Sequence, residues 1–189
     1  MMRYAQSLVF VVVTGLAVSA SAQTLSIGAD GGVSTFTQEN GPTGVGVNAY
    51  LGLHLPLGLS PEFNTGVQYG SKSLGSGVDM SLMVVPLYVG TRYSLKLPFG
   101  LEPFVGAHLG VAVMRAKVSL ESSEANLNMS AAETHARFGF NAGGGLNYVV
   151  NDSFSVGAAV WYGQVVKPLS TGPDWKSVTT GVSVTYNLL

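Results

Sequence analysis

The sequence predicts an all-β fold, an eight-stranded antiparallel up-and-down transmembrane barrel, and three observations carry that prediction. Beyond residue 23 apolar and polar residues alternate along most of the chain, the period-two mark of strands with one greasy and one wet face. Charge is scarce: 10% of residues are charged and 47% hydrophobic, against about 25% charged in an ordinary soluble domain. Glycines and charges, moreover, collect on one parity of those strands, and a water-facing surface made largely of glycine would be unexplained in a barrel dissolved in water.

The first residues read as an address. Arg3 precedes an apolar run over 8–18, and Ala20 and Ala22 follow in A-x-A spacing. This predicts a secretory signal peptide at residues 1–22, cut after Ala22, and a single barrel domain over 23–189. The run is too short to cross a bilayer, for which about 20 apolar residues are needed. With no cysteine in the chain, neither lipoprotein acylation nor a disulfide framework is available. A net charge of −1 and the lack of a basic stripe argue against a nucleic-acid partner.

Alternation places eight strands at 24–37, 45–55, 62–72, 79–94, 101–117, 135–150, 154–165 and 176–189. The connections "PLGLSP", "KLPFG" and "NDS" are short and rich in turn formers, whereas "QENGPTG", "SLGSG", "VSLESSEANLNMSAAET" and "VKPLSTGPD" are more polar and mostly longer. Short turns at one end and longer loops at the other describe a meander.

In the second strand Val45, Val47, Ala49, Leu51 and Leu53 oppose Gly46, Asn48, Tyr50, Gly52 and His54. The fifth opposes Val105, Ala107, Leu109, Val111 and Val113 to Phe104, Gly106, His108 and Gly110. The fourth is less clean, because Leu82 and Val84 fall on its polar side. Asp30, Arg92, Glu102 and Arg137, with His54 and His108, all share the polar parity, and so do most strand glycines, among them Gly28, Gly66, Gly90 and Gly139. A solvent face built of glycine has no explanation, whereas a narrow interior must fit Phe36, Tyr50, Tyr88, Phe104 and Trp161 beside small neighbours. The polar parity is therefore predicted to face inward and the apolar parity to face lipid.

Aromatic residues support the inversion. On the apolar parity Phe63, Tyr93, Tyr148, Phe154 and Tyr186 fall at the short-turn end, and Tyr69, Phe138, Phe140 and Tyr162 toward the long-loop end. Two such bands mark the two membrane interfaces. Arg115 and Lys117 share the lipid parity late in their strand, where they reach head groups above the hydrocarbon. The last strand, "SVTTGVSVTYNLL", is predicted to pair with "TLSIGADGGVSTFT", because an open edge in hydrocarbon leaves backbone groups without partners.

The stretches "VPLYVGTRYSL", "EPFVGAHLGVAV" and "FGFNAGGGLNY", with the terminal tyrosine-x-hydrophobic strand, resemble the small eight-stranded outer-membrane barrels of the OmpA-like and opacity-protein type. The resemblance covers nearly all of the chain beyond residue 22. It implies residence in the outer membrane with both termini periplasmic, outer-membrane lipid and the insertion machinery as partners, and a monomer. That family usually ends in Phe or Trp, the feature the machinery reads; here Tyr186 and Leu188 hold the register and Leu189 follows.

Barrels of this size serve many purposes. The sequence favours a non-enzymatic barrel with a plugged polar interior of Asp30, His54, Glu62, Arg92, Glu102, His108 and Arg137, contributing to envelope integrity or surface interaction. Arg92 and Glu102, across a tight turn, are expected to pair, with Glu62 and His54 at similar depth. The alternatives are a narrow channel or small-molecule conduit and, third, an enzyme modifying lipid A. For the enzyme the one candidate cluster is Ser130, Glu133 and His135, which reads more simply as solvated surface. His54 and His108 read as hydrogen-bonded fillers, no residue spacing suggests a metal site, and no cofactor is expected. Residues 118–134 form the longest predicted external loop, acidic through Glu121, Glu124 and Glu133, and the candidate contact surface for an extracellular ligand; the plainer reading is a hairpin extension of the strands on either side. Mass spectrometry of the protein purified from the envelope should find Gln23 at its N-terminus, and an intact residue 1 would refute the cleavage site.

Overall fold

The computed structural model describes residues 24–37, 41–75, 77–122, 127–166 and 175–188. The signal-peptide assignment at 1–22 and Leu189 lie outside them. Eight strands follow in chain order: β1 (Thr24–Phe36), β2 (Thr43–His54), β3 (Leu59–Gly75), β4 (Val78–Ser94), β5 (Leu101–Ser122), β6 (Leu127–Asn151), β7 (Phe154–Val165) and β8 (Trp175–Leu188). Each pairs antiparallel with its neighbour, and β8 returns to β1, closing the barrel. Closure runs the length of both strands, from Leu25 opposite Leu188 to Phe36 opposite Ser177.

The pleat decides what each side chain meets. In β8 Ser177, Thr179, Ser183 and Thr185 are buried within, while Val182, Val184, Tyr186 and Leu188 are exposed on the outside. The outer surface continues through Ile27, Val33, Val45, Val47, Leu51, Leu87, Val89, Val105, Leu109 and Val160. An apolar belt wrapped around a whole protein is stable only against hydrocarbon. The sequence-derived inside-out assignment is the one the structure shows.

The proximal end, which carries both described termini, has turns between β2 and β3, β4 and β5, and β6 and β7. At the distal end the sequence reading requires correction, because much of the length taken for loops is strand. β3 runs to Gly75 and β4 begins at Val78, so that connection is the tight kind. β5 and β6 reach 22 and 25 residues, against 12 or 13 in β1, β2 and β7. A tilted strand crosses a bilayer in about 9–11 residues, so β3 to β6 overshoot it and rise as a four-stranded wall beyond the hydrocarbon. Residues 118–134 are thus the top of the β5–β6 hairpin, paired from Val118 opposite Ala131 to Ser122 opposite Leu127, and residues 123–126 lie outside the described set.

The wall reverses the facing rule as it leaves the membrane. Its outward positions become polar, with Ser81 opposite Lys117 and Asp79 opposite Ser119, while Met80 opposite Val118 and Val78 opposite Leu120 carry apolar side chains on the inner parity. The belt ends where water begins. Lower down, the β3–β4 ladder keeps one register from Thr65 opposite Leu87 to Gln68 opposite Val84 but leaves Pro86, which has no N–H to give, unpaired with β3, and its register shifts only near the top, between Ser73 and Gly75. Deleting residues 122–131 should leave the heat-modifiable gel shift of the folded barrel intact, since the paired rows below Lys117 and Ala132 remain; loss of the shift would place the hairpin inside the folding unit.

Candidate functional site

The interior is filled in two layers of opposite chemistry. The distal layer is apolar: Phe36, Leu82, Val84, Tyr88, Ala112, Met114 and Val165 form one buried cluster, with Ala116 and Trp175 packed on it. Leu82 and Val84, which spoiled the alternation of the fourth strand, belong to this stopper. The proximal layer is polar and centres on Arg92.

Arg92 projects from β4 into the lumen with 4% of its side chain exposed, and its Nε lies 3.0 Å from Glu62 Oε1. This is an ion-pair contact, off the line of a directed hydrogen bond. Its Nη1 donates to Tyr50 Oη at 3.3 Å, and the guanidinium lies 4.2 Å from the centre of the Tyr50 ring and 4.4 Å from that of Phe104. Aromatic faces attract a desolvated cation. Glu62, from β3, turns its other oxygen to His108 Nε2 at 3.0 Å, and His108 Nδ1 lies 2.8 Å from Asn141 Oδ1. His108 also packs beside Trp161, ring centres 5.4 Å apart. Residues of β2, β3, β4, β5, β6 and β7 thus meet across the lumen around one carboxylate.

Smaller polar links complete the layer. Asn48 Nδ2 donates to Asp30 Oδ1 at 2.9 Å, Ser183 Oγ donates to Asn147 Oδ1 at 2.9 Å, and Tyr50 Oη bonds Thr185 Oγ1. Two glycines make room for the rings. A Cβ on Gly28 would collide with the Tyr50 ring, and one on Gly145 would lie 2.8 Å from Phe104 Cζ. That is why small residues collect on the inward parity.

The expected pairing of Arg92 with Glu102 does not form. The β4–β5 register sets Gly106 opposite Arg92 and Phe104 opposite Ser94, so Glu102 falls below Arg92's row, at the rim of a proximal cavity, and makes no ion pair among the described residues. Glu62, on the other neighbouring strand, takes its place. His54 is half-buried at the same rim, its Nδ1 2.8 Å from Ser60 Oγ. Arg137 is half-buried on the distal part of β6, in no ion pair among the described residues. His135 and Glu133 touch at 3.1 Å on exposed side chains. Tyr50, Phe104, Trp161 and Asn141 are the members of the Arg92 cluster that charge sorting did not single out; the first three were legible only as bulk to be housed.

The proximal cavity is about 770 Å³ and has Arg92, Glu62 and Tyr50 among its lining residues. A distal void of about 20 Å³, room for one water, borders the apolar stopper and shares no lining residue with the proximal cavity. On the outer surface Phe63, Tyr69, Tyr93, Phe138, Tyr148 and Tyr186 are exposed, and Phe140, Phe154 and Tyr162 lie on the outward parity half-buried. No group of three or more metal-ligating side chains occurs among the described residues.

Closed strands, an apolar outside and a packed polar inside define a transmembrane β-barrel. The chain belongs to the outer membrane protein β-barrel domain family, whose sequence profile matches residues 8–187. The fold is similar to that of Neisserial surface protein A, at a TM-score of 0.65 and 15% identity over 89% of this chain and 100% of that one. A major outer membrane protein from Thermus thermophilus matches at a TM-score of 0.61 and 14% identity, over 89% of this chain and 100% of that one. The N-terminal β-barrel domain of Pseudomonas aeruginosa OprF follows at 0.52 and 16%, over 87% and 97%. No curated protein sequence matches.

Removing one partner from the buried pair leaves the other charge uncompensated, which costs about 3–5 kcal/mol. Glu62→Ala should lower the unfolding free energy of the refolded barrel in urea by about that amount, and adding Arg92→Ala should restore part of it. Additive losses in the double variant would show that the two side chains act independently.

Proposed function

We propose that this chain is a non-enzymatic, non-conducting outer-membrane barrel, monomeric, with both termini periplasmic, that supports the envelope and presents its distal wall to the outside. The observation that carries the proposal is the double closure of the lumen: the Arg92–Glu62–His108 clasp stands in series with the Phe36–Leu82–Met114 stopper. An ion entering from the proximal cavity would have to displace first a buried ion pair and then packed hydrocarbon side chains. The proximal cavity and the distal void share no lining residue.

Orientation follows from the wall. Outer-membrane barrels keep their short connections on the periplasmic side and their extensions outside, and the tall β3–β6 wall rises from the end opposite Thr24 and Leu188. The outward aromatics then lie near the two head-group layers, where amphipathic rings partition best. The wall, with the β5–β6 hairpin at its top, is the surface offered to an extracellular ligand. A channel reading has one observation in its favour, the proximal cavity of about 770 Å³, but that cavity shares no lining residue with the distal void. Enzymatic action on lipid A finds no support at the two serine–histidine candidates: the exposed His135 bonds Glu133 alone among the described residues, and Ser60, whose Oγ meets His54 Nδ1 at 2.8 Å, is buried on the inward parity, away from lipid.

The refolded protein should be electrically silent in planar lipid bilayers. Combining Glu62→Ala and Arg92→Ala with Phe36→Ala and Met114→Ala should produce discrete conductance steps in a barrel that still shows its gel shift. Steps from the unmodified protein would overturn the proposal, as would release of acyl chains from added lipid A.

A further inference from the structure

A seven-residue phrase occurs twice at the proximal end. Leu55, Pro56, Leu57, Gly58, Leu59 and Pro61 join β2 to β3, and Leu97, Pro98, Phe99, Gly100, Leu101 and Pro103 stand in the same spacing between β4 and β5. The two turns are one geometry built twice. Leu55 N donates to Leu59 O and Leu97 N to Leu101 O, each at 2.8 Å. Leu57 (φ 68, ψ 15) and Phe99 (φ 65, ψ 21) both hold left-handed backbone values, and they are the non-glycine residues with positive φ in the described chain.

Glycine or asparagine occupies such a position at least cost, and a bulky apolar side chain at the highest. Yet both turns give the position to a large hydrophobe and gain no packing from it. Leu57 and Phe99 are each 91% exposed, more than any other large apolar residue described. The third proximal turn, between β6 and β7, is polar instead: Ser153 N donates to Asn151 Oδ1 at 3.0 Å.

We propose that Leu57 and Phe99 are twin lipid anchors that seat in the head-group and upper acyl region of the leaflet at the proximal end. Continuity with the lipid-facing belt identifies the occupant. Leu59, Tyr93, Leu95, Leu97 and Leu101 are exposed on the rim above the two apices, so the apolar belt runs into the turns on this side of the barrel, where Leu57, Leu95, Leu97 and Leu101 also border the mouth of the proximal cavity. The depth also fits. Leu59 lies opposite Tyr93, and Leu57 is two residues beyond it, at most about 7 Å along an extended chain. A head-group layer is about 5–7 Å thick in each leaflet. The anchors touch lipid on one flank only, so they fix depth and tilt where the polar β6–β7 turn does not. Naming the leaflet periplasmic rests on the orientation proposed above; contact with phospholipid does not.

Because the chain has no cysteine, single-cysteine variants each report one place. Nitroxide labels on Leu57→Cys, Phe99→Cys, Ser153→Cys and Val182→Cys, in protein refolded into phosphatidylcholine and phosphatidylglycerol vesicles, can be compared for collision with oxygen and with a water-soluble nickel chelate. Labels at 57 and 99 should favour oxygen over nickel several-fold more than the label at 153. Equal nickel access at 57, 99 and 153 would overturn the anchors, and so would spin–spin broadening at 57 or 99, which would assign the knobs to a second copy. Val182, 68% exposed midway along β8 on the outer belt, separates the failures: nickel access there would overturn the membrane reading itself. A label-free variant, Leu57→Asn with Phe99→Asn, suits the backbone and should keep the gel shift while inserting into vesicles several-fold more slowly; an unchanged rate would count against anchoring.

Discussion

Backbone pairing between β1 and β8 is the constraint on which the rest of this molecule depends. In hydrocarbon an unpaired N–H or C=O has no water to turn to and costs several kcal/mol. A sheet can therefore exist there only if its last strand meets its first. The register from Leu25 opposite Leu188 to Phe36 opposite Ser177 meets that demand along the whole edge. Closing eight strands then fixes a narrow lumen, and the narrow lumen dictates which residues can face it.

The interior shows how that space is filled. Glycine on one strand makes room for an aromatic ring on the next, as Gly28 does for Tyr50 and Gly145 for Phe104. A cation at the centre is tolerable because Glu62, Tyr50 and the Phe104 ring meet it. Distally the chemistry changes to packed hydrocarbon side chains. On the outside it changes in the opposite sense at nearly the same height, where Lys117 and Asp79 replace the apolar belt on the tall wall. Inside and outside exchange character at the membrane surface because the solvent outside has changed, not the pleat.

Parity was legible because burial on a closed sheet repeats every second residue, and a single strand such as 177–188 displays it in full. The ring of eight strands was legible for the same reason. The partner of Arg92 was not. Glu62 and Glu102 both lie on inward positions of strands next to β4, and only the register, set by how the β4–β5 turn spaces Ser94 and Phe104, decides between them. Leu82 and Val84 looked like breaks in a pattern because the pattern assumed one interior chemistry, whereas the barrel has two. The wall was hidden by composition: "VSLESSEANLNMSAAET" is as polar as a loop, and a strand beyond the membrane has no apolar face toward lipid to betray it. The repeated proline-hydrophobe-glycine turns lay open in the sequence, but their left-handed apices exist only in the folded backbone.

Amide hydrogen exchange, resolved by residue with the protein in lipid nanodiscs, tests the closure most directly. Amides on β1 and β8 between Ile27 and Val33, and between Thr180 and Tyr186, should be as strongly protected as those at the centre of the β4–β5 pair. Fast exchange confined to β1 and β8, with the other strands protected, would mean an open seam and contradict the account.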